Sequence, residues 1–310
     1  MENFNLVESI RQSLNELFSG LFSSIDNNIY SLLDSLTFVN SKITNEPAIN
    51  KLLGNNITDG ILLICNSLVL GFIIYYAANF LFSHLTYAKV QRPTQFIFKS
   101  IIFIALMNSS LWICTQIIDI VSIVTELIKN LGNSAFGYEI SFSNLINYIN
   151  SSVYLKDTGF SIFSFDGIIK SFTSFGLINL LFTYALRYIM LQVFILVSPF
   201  AFLCLINDSS AWFFNSWLRS FISMLLVQVL IAIILTLGFS LNLNSETNLS
   251  KLLLIGIIYA LLKANSFMQE IIGGISTDVS AGISALKQGG NLWNLFFQKT
   301  IILNTNYLDL

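Results

Sequence analysis

A chain of 310 residues that is 55% hydrophobic and only 10% charged, with mean hydropathy +0.73, lies outside the balance of a soluble globular domain, whose surface needs Lys and Glu in quantity. A net charge of −2 with no dense basic cluster argues against electrostatic wrapping of nucleic acid. Lipid is the solvent this composition implies, and the expected class is an all-α polytopic membrane helix bundle.

Residues 1–59 come first. They lack the basic flank and unbroken apolar core of a cleaved signal. From Val7 through Ile10, Leu14, Phe18 and Ile25 to Leu36, apolar residues recur at spacings of three and four, which predicts an amphipathic helix. Such a helix packs on the outer surface of the bundle or lies in the membrane interface. A docking arm for a neighbouring subunit is the other reading.

A hydrocarbon core about 30 Å thick takes roughly 20 helical residues, and five stretches qualify: 60–83, 100–124, 175–206, 219–239 and 251–272. The expected organisation is an N-terminal helical segment (1–59), two spans (60–124), an extracytoplasmic loop (125–170), a three-span core (171–272) and a tail rich in small residues (273–310). The short connection after the first span carries Lys89, Arg92 and Lys99 without a carboxylate, so it is expected on the cytoplasmic side. The N-terminus is then outside, in keeping with its excess of acidic residues, and five spans put the C-terminus in the cytoplasm. Inside the third span, Pro199 after Ser198 removes a backbone donor and predicts a kink.

Catalytic signatures are lacking. His84 stands at the edge of the first span with no ligating neighbours, and Cys65, Cys114 and Cys204 fall inside predicted spans as small buried hydrophobes. No phosphate-cradling loop, nucleophile elbow or zinc-helix motif occurs. No catalytic residue, metal site or cofactor is expected, and the function is expected to be non-enzymatic.

Intramembrane polarity is the feature that remains. From Ser171 to Asn207, Arg187 is the only charged residue, and a guanidinium at that depth must face a protein interior or a wet cavity. At 100° per residue, Asn179, Thr183, Arg187 and Ser198 share about a third of the helix circumference, while Gln192 points away. The second span has a stripe of Asn108, Thr115, Asp119, Ser122 and Glu126, and the fifth aligns Gly256, Lys263 and Glu270. Such stripes either hydrogen-bond to one another and hold the bundle together, or line an aqueous path. Arg187 and Lys263 both lie about 18–20 Å below the outer surface. Asp119 is the one carboxylate whose depth suits a partnership with Arg187.

The stretch 185–239, ALRYIMLQVFILVSPFAFLCLINDSSAWFFNSWLRSFISMLLVQVLIAIILTLGF, joins an Arg in a membrane helix to Ser198-Pro199, a turn bearing Trp212 and Trp217, and a further span. This arrangement resembles the TrbL-like family of conjugation proteins, polytopic inner-membrane components of type IV secretion systems. The resemblance covers about 55 residues, and the long Gly/Ala-rich cytoplasmic tail of many members has no counterpart here. It implies a membrane channel or scaffold component that helps pass a DNA–protein or protein substrate across the bacterial cytoplasmic membrane. Its partners would be other secretion-system membrane subunits, ATPases that supply the work, single-stranded DNA or protein in transit, and further subunits of an oligomeric assembly. Arg187, Ser198, Pro199, Trp212 and Trp217 carry over, with the two tryptophans also readable as anchors at the membrane interface. A small-solute permease or transporter subunit is the alternative.

Overall fold

The computed structural model describes residues 27–54, 59–86, 92–145, 165–241 and 248–272, with Ile10 and Ser13. Most of the apolar series from Val7 to Ile25, Lys89, residues 146–164 of the long loop, the tail 273–310 and the side chain of His84 lie outside the described residues.

Every regular element among the described residues is helical. In chain order these are α1 (Asn27–Thr37), a 3-10 turn (Ser41–Asn45), α2 (Pro47–Leu53), α3 (Gly60–Thr86), α4 (Pro93–Asn108), α5 (Ser110–Phe136), α6 (Phe165–Leu203), a 3-10 turn (Cys204–Ile206), α7 (Ala211–Ser240) and α8 (Asn248–Ile272). Five stretches are long and apolar enough to cross a membrane: Gly60–Ser83, Ser110–Phe136, Ser171–Ile206, Ala211–Ser240 and Leu252–Ile272. The chain is a multi-pass membrane protein built as an all-α bundle.

Local chemistry explains most of the boundaries. Pro47 and Pro93 open α2 and α4, where a missing N–H has no helical partner to lose. α5 stops at Gly137, whose left-handed φ of 73° lets its N–H bond the Asn133 carbonyl at 2.8 Å. At Gly60 the φ of 59° is joined by a close approach, since a Cβ there would lie 2.4 Å from the Leu52 carbonyl oxygen.

The second span differs from the sequence expectation. Instead of one helix over 100–124, a 16-residue helix α4 ends at Asn108, and α5 takes over at Ser110 and runs on to Phe136. The break has a polar cause. Asn108 turns its amide back onto the Ile104 carbonyl (2.9 Å) and meets Asn66 of α3 (3.2 Å), while Ser109 relaxes to φ −96°, ψ 9°. The apolar residues on both sides hide this interruption from a hydropathy reading. At the other end the helix continues through Glu126 and Lys129 until Gly137 stops it, so the long connection starts later than expected.

Most of the predicted amphipathic helix lies outside the described residues, and its described end, α1, buries Leu33 and exposes Leu32 and Ser35. Beyond it, Val39, Ile43, Ile49 and Leu53 are buried against the spanning helices, while Asn40, Lys42, Asn45 and Leu52 are exposed. α6 and α7 supply most of the core around it. One cluster gathers Phe194, Phe202, Trp217 and Phe221, and the other gathers Leu180, Tyr184, Ile231, Leu235, Leu254 and Leu261. α8 comes close to α6 at Gly176, where a Cβ would fall 2.5 Å from Ile258 Cγ2. The Tyr184 hydroxyl donates to the Leu261 carbonyl at 3.1 Å and ties the same two helices.

Candidate functional site

Many of the bundle's polar side chains meet residues 34–46, a half-buried segment that lies lengthwise against α5, α6 and α7. At one end the Asp34 carboxylate accepts from the N–H groups of Phe142 (2.8 Å) and Ser143 (3.4 Å) and from the Ser143 hydroxyl (3.2 Å). Burial pushes the Asp34 carboxyl above its ordinary range, against the opposing pull of those donors. Next, Lys129 of α5 sits 4.4 Å over the Phe38 ring, and the Val39 N–H donates to Gln228 Oε1 of α7 at 2.9 Å. Further on, the Thr115 hydroxyl of α5 donates to the Thr44 hydroxyl at 3.2 Å. Glu46 completes the series. Tyr188 donates its hydroxyl to one carboxylate oxygen, and Gln192 Nε2 donates to the other at 2.7 Å. From Lys129 to Thr115 the thread advances about 21 Å along α5 at 1.5 Å per residue. The segment is embedded on one side only: Thr37, Val39, Ile43 and Thr44 are buried, while Ser35, Asn40, Lys42 and Asn45 are exposed.

Arg187 belongs to this arrangement. It is fully buried, its Nη2 donates to the Thr37 carbonyl, and its guanidinium carbon lies 5.6 Å from the centre of the Tyr184 ring. Thr37 is the last residue of α1, so the cation meets the negative end of a helix dipole together with an unused carbonyl. Asp119, the carboxylate whose depth suited a partnership, makes no ion pair with Arg187. Asp119 is half-buried on α5, and the thread occupies the place where the partner of Arg187 had to be. A second carboxylate that meets the bundle, besides Asp34, is Glu46, which also belongs to the segment expected outside. Tyr188 and Gln192, one turn apart on the side of α6 away from the polar stripe, hold it. Polar residues four apart on an otherwise apolar helix were the signal available.

The remaining expected residues separate into two groups. Thr183 and Ser198 are buried on α6 and bond to their own helix, Thr183 to the Asn179 carbonyl (2.8 Å) and Ser198 to the Ile195 carbonyl (2.7 Å). The Ile195 carbonyl is the one deprived of its backbone donor by Pro199, and α6 continues through the proline to Leu203. One residue earlier, the Phe194 carbonyl accepts the Trp217 indole N–H at 2.9 Å. Trp217 is therefore not an interface anchor: at 4% exposure it is core, fastened to the segment that precedes the proline. Trp212, at 68% exposure, is free to meet an interface.

The second group faces outward. Asn179 on α6, Glu126 on α5, and Gly256, Lys263 and Glu270 on α8 are exposed. The three stripes consequently do not converge on one path. α8 packs through Leu254, Ile257, Ile258, Leu261 and Ala264, which bury more apolar surface, and this turns its Lys263 side away from the bundle. Lys99 of α4 pairs with Asp208 in the turn between α6 and α7, so those two parts meet at one end of the molecule. The cysteines are free thiols, with Cys65 and Cys114 buried. No protein-family model matches the chain, and neither does any curated protein or solved structure.

Proposed function

We propose that this chain is a non-enzymatic subunit of a larger membrane assembly, a channel or scaffold component of a conjugation (type IV secretion) apparatus in a bacterial cytoplasmic membrane. The observation that carries the assembly is the outward-facing polarity inside the spanning stretches, above all Glu126 on α5, with Asn179 on α6. A carboxylate facing lipid within a span is unfavourable by a few kcal/mol on insertion scales. A neighbouring membrane protein over that face removes the penalty. The secretion reading itself rests on the resemblance over 185–239.

The inner polar groups point the same way. Thr115, Tyr188, Gln192 and Gln228 all bind the N-terminal thread, so a substrate path forms between subunits and not down the middle of one chain. Partner ATPases supply the energy, and single-stranded DNA or protein is the cargo class. In this reading the N-terminus is outside and the C-terminus cytoplasmic, with the cations Lys89, Arg92 and Lys99 setting the orientation.

The interrupted segment 34–46 at bundle depth favours one second reading, a small-solute permease, because interrupted helices build substrate sites in many transporters. Gentle detergent extraction from the native host, followed by native mass measurement and crosslinking, separates the two. A hetero-oligomer whose yield and transfer activity both fall in Glu126→Leu is the expected result. A monomer that moves a small solute in proteoliposomes without partners would establish the permease instead.

A further inference from the structure

We infer that Arg187 anchors a buried site for a small, singly charged inorganic anion of the halide class, set between α1, α6 and α7. The inference is independent of the secretion reading, since it rests on the interior of a single chain.

A guanidinium carries five N–H donors and no acceptor. One of the donors of Arg187 is used on the Thr37 carbonyl, while Nε and Nη1 are fully enclosed and have no hydrogen-bond partner. The neighbouring polar groups have the same character. Gln228, 1% exposed, gives its oxygen to the Val39 N–H and leaves Nε2 without a partner. The Thr37 hydroxyl is buried and has no partner either. Thr37 and Val39 are two residues apart, a reach of at most about 7 Å, so these donors gather around the end of α1.

Charge decides what they would take. Among the described residues no carboxylate pairs with Arg187. Asp34 is held by Phe142 and Ser143, Glu46 by Tyr188 and Gln192, and Asp119 stands half-buried on α5. The Thr37 carbonyl offers only the fractional charge of a helix end. Buried polar groups without partners call for an unseen water or ion, and a buried full charge calls for compensation by an opposite one. Water would answer the donors and leave the charge, whereas a halide answers both. One enclosed cation matches one negative charge, and complete enclosure favours a small, spherical ligand over a branched oxyanion.

The test uses the purified full-length protein in nanodiscs, with gluconate replaced stepwise by chloride or bromide at constant ionic strength. The melting temperature should rise and saturate, and bromide binding should approach one ion per chain. Arg187→Gln should abolish the saturable rise. Gln228→Glu keeps an oxygen for the Val39 N–H but replaces the free amide donor with a carboxylate, and should weaken bromide binding by roughly tenfold or more, about 1.4 kcal/mol. If Arg187→Gln does not fold, Gln228→Glu alone decides. Melting that ignores the halide series, or bromide binding unchanged in the variants that fold, would mean that water fills the site and would overturn the proposal.

Discussion

Helices α6 and α3 are near equals in apolar character, yet half of the spanning window of α6 is buried and only 17% of that of α3. Hydropathy reports that a segment prefers lipid to water, and both segments do. It does not report which one is surrounded by protein. The polar residues do, because lipid is a poor place to leave them. α6 turns Thr183, Arg187 and Ser198 inward, whereas α3 meets the rest of the protein along one face, with Leu62, Cys65 and Val69 buried, Asn66 on Asn108 and Tyr76 stacked on Phe96, and exposes Leu70, Ile74, Leu81 and Phe82. The molecule is thus a core of α6, α7 and the N-terminal thread, with α3 on the outside.

The largest expected effect comes from the residue that joins core and thread. Arg187→Leu removes the charged donor on the Thr37 carbonyl and leaves that buried acceptor unmet, roughly 3 kcal/mol against the threaded state. A Thr44→Cys reporter should then gain reactivity toward a small maleimide, and transfer activity in the native host should fall. Arg219→Leu alters an exposed residue of α7 and should shift stability by less than about 0.5 kcal/mol. Equal transfer by both variants would reduce Arg187 to a tolerated passenger.

Glycines sharpen the contrast between inner and outer helices. A Cβ at Gly132 of α5 would lie 2.8 Å from Ile140 Cγ1 and 2.9 Å from Thr236 Cγ2, while one at Gly71 of α3 meets nothing within 4 Å. Gly132→Leu should therefore destabilise the protein by about 1–3 kcal/mol, and Gly71→Leu should leave the melting temperature in detergent unchanged. A comparable loss at both sites would mean that α3 is packed as tightly as the core.

A smaller difference separates the two tryptophans. Trp217→Phe keeps an aromatic ring beside Phe202 and Phe221 but takes the donor from the Phe194 carbonyl, a loss of about 1–2 kcal/mol. Trp212→Phe should stay within about 0.5 kcal/mol. Smallest is Asn108→Leu, where the amide contact with Asn66 between α4 and α3 is broken. Bonds of this kind between membrane helices average about 0.6 kcal/mol, and urea-free thermal melts of matched samples can resolve that.

Much of the architecture was legible in the residues. Runs of Leu, Ile and Phe long enough for a bilayer gave the number of spans and the place of four, with the second set about ten residues too early, and the isolation of Arg187 singled out a residue that proves to be fully enclosed. The thread was not legible, for a physical reason. Between Asp34 and Lys51 the chain mixes Val39, Ile43 and Ile49 with Asn40, Lys42, Glu46 and Pro47, in pieces too short and too polar to register as a span. Its burial depends on partners far away in sequence, since Gln228 is 189 residues from Val39 and Arg187 is 150 from Thr37. For the same reason Asp119 looked like the counter-charge: depth along a helix can be counted from sequence, but what stands between two helices cannot. The α8 stripe was misread similarly, because Lys263 and Glu270 share a face whichever way that face turns.

The central claim is that residues 34–46 lie against α5 with Thr37, Val39, Ile43 and Thr44 buried in the bundle. With Cys65, Cys114 and Cys204 replaced, a Thr44→Cys, Thr115→Cys pair tests it directly, because the two hydroxyls lie 3.2 Å apart in the folded chain. The account predicts rapid, near-complete disulfide formation in native membranes under mild oxidation, with none for Thr44→Cys paired with Trp112→Cys on the exposed side of α5. No crosslink at Thr115, together with ready labelling of Thr44→Cys by a membrane-impermeant maleimide, would place the segment outside the bundle and contradict the account.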